Sequence, residues 1–163
     1  MKLRAHIFLD QLGIPYEARL FPPETEKGAA SVARVLGFPE RQAVKTLIFQ
    51  ADNGECALVM LGGDQNAVSS NLKRAIGSRN IQMAAAEVVR DTTGFVIGSI
   101  PPFGWQKHGF RSFLEVTLMD EPILGVGAGQ WGNEIMITPQ NLLKASLARA
   151  INLVERQKPI TPL

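Results

Sequence analysis

An α+β fold, one domain with a mixed or antiparallel, barrel-like sheet and helices packed around it, is predicted by three features of this 163-residue chain. First, Val44 to Ala51 and Glu55 to Leu61 are apolar, β-branched runs on either side of Asp52-Asn53-Gly54, and Asn-Gly in that place signals a hairpin. Second, helical stretches and short strands are interspersed without the strict βαβ alternation of a parallel sheet. Third, three short strands cluster late in the chain, at Phe113 to Leu118, Ile123 to Val126 and Glu134 to Ile137.

The elements follow in order. Leu3, Ile7, Phe8 and Leu12 recur at helical spacing, and Gly13 then Pro15 end that helix. Tyr16 to Phe21 is extended and Pro22-Pro23 breaks the chain. Ser31 to Leu36 is a helix entered from Gly28, with Ala30, Val32, Ala33 and Leu36 on its apolar side and Gly37 as its end. After the hairpin, Gly62-Gly63-Asp64 closes the second strand. Ser69 or Ser70 can cap a helix running through Ile76 to Gly77. Ala86 to Thr92 is helical, Phe95 to Ile97 is extended, and Gly98 to Gly104 is a loop rich in proline and glycine. Pro139 opens a last helix to about Val154, with Leu142, Leu143, Leu147 and Ile151 inward. Residues 1–156 are expected to form the one domain, with 157–163 a loose tail.

Composition narrows the chemistry. Net charge is +2, so only a modest attraction to polyanions follows. The one cysteine, Cys56, cannot form an internal disulfide, which suits a reducing cytoplasm. No apolar run approaches the roughly 20 residues of a membrane span, and the N-terminus does not resemble a signal peptide. The two histidines, His6 and His108, lack metal-ligand spacing, and there is no GxSxG and no P-loop. Gly127-Ala128-Gly129-Gln130-Trp131-Gly132 matches GxGxxG literally. A strand follows where a dinucleotide site needs a helix, so that reading is set aside. No metal and no cofactor is expected.

Three features can carry chemistry. Lys45 opens an apolar strand, where its ammonium either snorkels to water or enters a cleft as a point charge for phosphate or ribose. The stretch Thr93 to Gly104 combines glycines, which admit close approach of a ligand to the backbone, with Pro101-Pro102, which stiffen the turn. Such a ribbon either turns at the surface or aims its free N–H groups at a developing oxyanion. Gly125 to Gly132 is either a second wall of that cleft or a strand connection.

The order of these features carries a resemblance. Ala29-Ala30-Ser31-Val32-Ala33-Arg34-Val35-Leu36-Gly37 precedes Val44-Lys45-Thr46-Leu47, then Gly63-Asp64 and Asn71-Leu72-Lys73-Arg74-Ala75-Ile76-Gly77. Ala86-Glu87-Val88-Val89, Thr93-Gly94, Gly98 to Gly104 and Gly127-Ala128-Gly129 complete the set. Over roughly residues 3 to 150 the chain resembles the YbaK / prolyl-tRNA synthetase-associated domain family, free-standing relatives of the editing insertion of bacterial prolyl-tRNA synthetase. The resemblance implies a trans-editing hydrolase that cleaves the ester between a mischarged small amino acid and tRNA. It places the family's lysine at Lys45 and its GxxxP loop at Gly98 to Pro102. It sets Gly127-Ala128-Gly129 opposite that loop.

The expected catalytic residues are therefore Lys45, Gly98, Ser99 and Pro102. Val32, Thr46, Met60, Ile100, Pro101, Gly127, Ala128 and Gly129 are expected to bind the substrate. Lys73, Arg74, Arg79, Lys107, His108 and Arg111 are expected to hold tRNA, with strong salt dependence. An aminoacyl-tRNA synthetase would be a further partner, and no DNA or membrane partner is expected. The ester is already activated, so positioning water and stabilising the oxyanion can suffice. Alanyl, seryl, threonyl and cysteinyl esters all stay open, although Pro102 keeps a form from which the cysteine-specific branch departs. A module that binds a nucleotide, a small amino acid or a synthetase without catalysis is the competing reading.

Overall fold

The hairpin forms as the Asn-Gly turn predicts: β2 (Val44–Ala51) pairs antiparallel with β3 (Cys56–Gly62) in the computed structural model, which describes residues 1–156. The expected tail, 157–163, lies outside the described residues. Around the hairpin the chain runs α1 (Arg4–Leu12), β1 (Glu17–Leu20) and α2 (Ala29–Leu36) before it. After it come α3 (Ser69–Ile76), β4 (Ile81–Met83), α4 (Ala86–Thr93), β5 (Arg111–Glu115), β6 (Leu124–Gly127), β7 (Asn133–Ile137), α5 (Pro139–Ser146) and β8 (Arg149–Ile151).

The fold is mixed α and β, but the strands form two sheets in place of a closed barrel. One has the order β4-β2-β3-β5-β8 and the other β1-β7-β6. The larger is mixed, with β3–β5 and β5–β8 parallel, and the smaller is wholly antiparallel. A single parallel bridge, Ala43 to Gly125, joins their margins.

Period-two alternation explains the packing. On β3, Leu58 and Met60 face one apolar cluster while Ala57, Val59 and Leu61 face another, and all five are 2% exposed or less. The first cluster is closed by the inner face of the small sheet, Leu124, Val126, Ile135 and Ile137, and the second by Leu72 and Ile76 of α3. Each such aliphatic side chain contributes about 1.5–3 kcal/mol when fully buried. The central hairpin is therefore a stiff platform, and the first residues of β2 are carried at its rim.

Four local expectations are corrected. The last helix stops at Ser146 because Leu147 turns left-handed (φ 56°) and is 83% exposed. The chain then reverses, so that Ile151 pairs with Glu115 as part of β8. The expected strand from Phe113 to Leu118 ends at Glu115, whose carboxylate accepts from the Thr117 amide and starts a 3-10 turn. Phe95 to Ile97 is a turn, closed by the Ser99 amide on the Val96 carbonyl. Val68, not a serine, occupies the cap position of α3, and no side chain caps it.

Candidate active site

A cleft of about 450 Å³ opens where the start of β2, the start of α2, residues 97–100 and the β6–β7 pair meet. Six of the expected residues line it together: Val32, Lys45, Thr46, Gly98, Ile100 and Gly127. They are far apart in sequence and reach the cleft from separate segments of the chain.

Each is placed by its own local chemistry. Lys45 sits at the second position of β2, half-buried, and its ammonium donates to the Gln65 carbonyl and to Asn66 Oδ1 at 3.4 Å. An ammonium has three donors, so one stays for a ligand and two hold it still. Thr46 Oγ1 is buried with no hydrogen-bond partner among the described residues. Gly98 has φ +97°, a conformation that strains any L side chain, and nothing lies within 4 Å of a Cβ built there.

The ribbon after Gly98 is pinned from behind. Trp105 Nε1 donates to the Pro101 carbonyl at 2.5 Å and Gln106 Nε2 to the Pro102 carbonyl at 2.8 Å. Phe103, 1% exposed, stacks on Phe8 at 5.8 Å. The main-chain N–H groups of Gly98 and Ile100 have no acceptor among the described residues, and both residues line the cleft. Replacing Gly98 with alanine is expected to lower the deacylation rate constant about 10-fold, because the left-handed turn costs ~1–2 kcal/mol. The melting temperature should stay within a few degrees; single-turnover kinetics and a thermal melt check both.

Other expected residues serve the site without lining it. Ser99 turns its amide and its hydroxyl to the Val96 carbonyl, at 3.2 and 3.3 Å. Pro101 and Pro102 are buried and stiffen the ribbon. Met60 is 0% exposed and Ala128 1%, which places both in the core and not in the pocket. A Cβ on Gly129 would lie 2.7 Å from Phe95, so this glycine admits the ring that props the ribbon.

The cationic candidates do not form one patch. Lys73 and Arg79 line a second, polar cleft of about 380 Å³ with Asp52 and Asn80, at the opposite end of β2. Strand rise puts the two ends about 20 Å apart. Arg74 bonds Asn71 on its own helix, and Lys107 and His108 lie beyond the ribbon. Arg111 is structural: it donates to the Ile76 carbonyl at 2.8 Å, closing α3, and pairs with Glu55 at 2.9 Å. Arg111→Ala should therefore cost about 1–2 kcal/mol of stability in a denaturant titration and leave the salt slope of tRNA binding unchanged.

Among the lining residues not expected from sequence, three carry polar side-chain groups: Lys27, Trp131 and Glu134. Lys27 lies over the Trp131 ring at 4.1 Å, and Trp131 Nε1 is tied to the Thr25 carbonyl. Glu134 is 7% exposed, and among the described residues no donor reaches its carboxyl. Burial raises its pKa from 4.5 to about 8. The available signal was the pair Gly125 and Gly127, which face Met136 and Glu134 across the β6–β7 ladder and leave that side of the sheet bare.

This fold and cleft fit one class, hydrolases that act on aminoacyl-tRNA. Comparison with known proteins agrees. The aminoacyl-tRNA editing domain family matches residues 23–145, and the chain belongs to that family. An Enterococcus faecalis protein, provisionally named Cys-tRNA(Pro)/Cys-tRNA(Cys) deacylase EbsC, is 27% identical over 87% of each chain. Proline--tRNA ligase of Geobacter metallireducens is 30% identical over 63% of this chain, which corresponds to 18% of the ligase. A solved structure provisionally described as a trans-editing enzyme for prolyl tRNA synthetase superposes with a TM-score of 0.83 at 26% identity, covering 94% of this chain and 96% of that one. Among the described residues no helix is long and apolar enough to cross a membrane.

Proposed function

We propose that residues 1–156 act as one trans-editing domain that removes a small amino acid, alanine, serine, threonine or cysteine, from a tRNA wrongly charged with it. The observation that carries this reading is the meeting, in one cleft, of the Lys45 ammonium with the unpaired N–H groups of Gly98 and Ile100. The two amides hold the ester carbonyl oxygen as it becomes an oxyanion, and each such donor is worth about 3 kcal/mol. Lys45, fixed by Gln65 and Asn66, takes the terminal phosphate or a ribose hydroxyl. Water adds to the carbonyl carbon, the acyl–oxygen bond breaks, and the proton goes to the departing ribose oxygen. The products are free amino acid and uncharged tRNA.

Val32, Ile100 and Leu47 make the pocket wall apolar, while the unpaired Thr46 hydroxyl offers one polar contact. Affinity alone sorts small side chains poorly, because a methylene is worth only about 1–3 kcal/mol. The name of the E. faecalis relative points to cysteine and the retained Pro102 points away from it, so a panel of charged tRNAs decides. A prolyl-tRNA synthetase is the natural partner for tRNA identity, since proline--tRNA ligases carry the homologous segment. Purified protein incubated with Ala-, Ser-, Thr- and Cys-charged tRNA should release at least one of these amino acids far faster than buffer does. Binding without release from every one would overturn the reading.

A further inference from the structure

Among the described residues two carboxyl side chains are buried, and the fold treats them in opposite ways. Glu115, 0% exposed, accepts from the amides of Thr117, Leu153 and Val154 and from the Thr117 hydroxyl. Glu134, 7% exposed, accepts from nothing among the described residues. A carboxyl that is largely buried, has no protein donor and opens only to the cleft is suited to a partner supplied from outside.

Its surroundings are cleared for one. Arg19 stands opposite Glu134 on β1, but its guanidinium turns away to the Leu36 carbonyl at 3.2 Å and to Glu17 at 3.8 Å. On the other side Gly127 stands opposite, with no side chain to cover the carboxyl. A Cβ on Gly125 would lie 2.9 Å from Glu134 Oε2, so this glycine leaves room for the carboxyl. Gly127 is also where the ribbon arrives: a Cβ there would lie 3.2 Å from the Ser99 carbonyl carbon and 3.3 Å from the Ile100 oxygen. The ribbon thus lies against Gly127 and the Glu134 carboxyl against Gly125, the next glycine on the same face of β6, and Gly98, Ile100 and Glu134 all line one cleft. In an aminoacyl ester the amino nitrogen and the carbonyl carbon are both bonded to the α-carbon. A molecule whose carbonyl lies at the ribbon therefore carries its amine into the cleft that Glu134 also lines.

We infer that Glu134 is the counter-ion for the free α-ammonium of the substrate, so that the cleft accepts aminoacyl esters and rejects those whose nitrogen is acylated. This rests on the proposed function and deepens it. An acylated nitrogen carries no charge and adds bulk in the cleft, and it leaves the Glu134 carboxyl unpaired. Esters of N-acylated amino acids and of peptides would be spared, so nascent chains on tRNA would not be stripped.

The test measures binding, independent of turnover. The probes are 3′-alanylamino-3′-deoxyadenosine, whose amide link resists hydrolysis, and its N-acetyl derivative. The wild-type chain should bind the free amine at least about 30-fold more tightly, in line with a buried charge pair. In Glu134→Gln the two affinities should converge to within a few-fold, and Glu134→Asp should retain part of the preference. Equal binding of both probes by the wild type, or an undiminished preference in Glu134→Gln, would overturn the inference. If the wild type prefers the free amine yet releases no amino acid from any charged tRNA, the deacylase reading fails and this one stands. If it releases amino acid but shows no preference for the free amine, the deacylase reading stands and the role of Glu134 is refuted.

Discussion

Lys45→Ala should cut single-turnover deacylation about 100-fold or more, the range seen when one charged or oxyanion-stabilising donor is removed. Its fold should survive, because Lys45 is only half-buried and its two bonds go to the Gln65–Asn66 turn and not to the core. Circular dichroism and a melting temperature within a few degrees of wild type would confirm that the loss is chemical. Lys45→Arg should not restore the rate, since a planar guanidinium cannot repeat the compact geometry of an ammonium held by two oxygens. Full activity in Lys45→Ala would remove the lysine from the mechanism.

Glu134→Gln should make the protein more stable at alkaline pH. The folded chain holds the Glu134 proton up to about 8, whereas the unfolded chain releases it near the ordinary value of 4.5. Between these values the folded state binds more protons, so stability falls as pH rises through the window and is level above it. The full difference is on the order of 4–5 kcal/mol. Arg19 across the ladder and Lys27 and Lys45 in the cleft are the cations nearest in the fold, and burial of the carboxyl outweighs them. Glutamine cannot ionise, so its melting temperature should gain at least about 5 °C over wild type at pH 9 and little at pH 5. Parallel pH profiles for the two proteins would show that the carboxyl is not buried alone.

Much of this architecture was legible in the chain because the strongest signals are local. Asn53-Gly54 specifies a turn, and left-handed glycines at 13, 37, 77 and 94 end four helices where the sequence reading put their ends. β4 was not legible because Ile81 to Met83 is too short to show a period; it exists only because β2 offers a free edge. The last helix was drawn too long because Leu147 and Ile151 fit helical spacing, while the left-handed turn at Leu147 carries no glycine to announce it. For the cleft, the ordered motifs contain Val32, Lys45, Thr46, Gly98, Ile100 and Gly127, which line it. Glu134 stayed hidden because a glutamate at the head of an apolar strand reads as solvated. Only the register against Gly127 shows that it faces a cavity. Arg111 shows the converse: a basic residue next to a loop looks free in sequence until its partners, the carbonyls ending α3, are seen.

The meeting of ammonium and main-chain donors in one cleft is tested most directly by a structure of the wild-type chain with 3′-alanylamino-3′-deoxyadenosine bound. The acyl carbonyl oxygen is expected about 2.7–3.1 Å from the N–H of Gly98 or Ile100, with a ribose or phosphate oxygen on Lys45. An analogue seated instead in the polar cleft of Lys73 and Arg79, or in the first cleft with its carbonyl turned away from both amides, would contradict that arrangement.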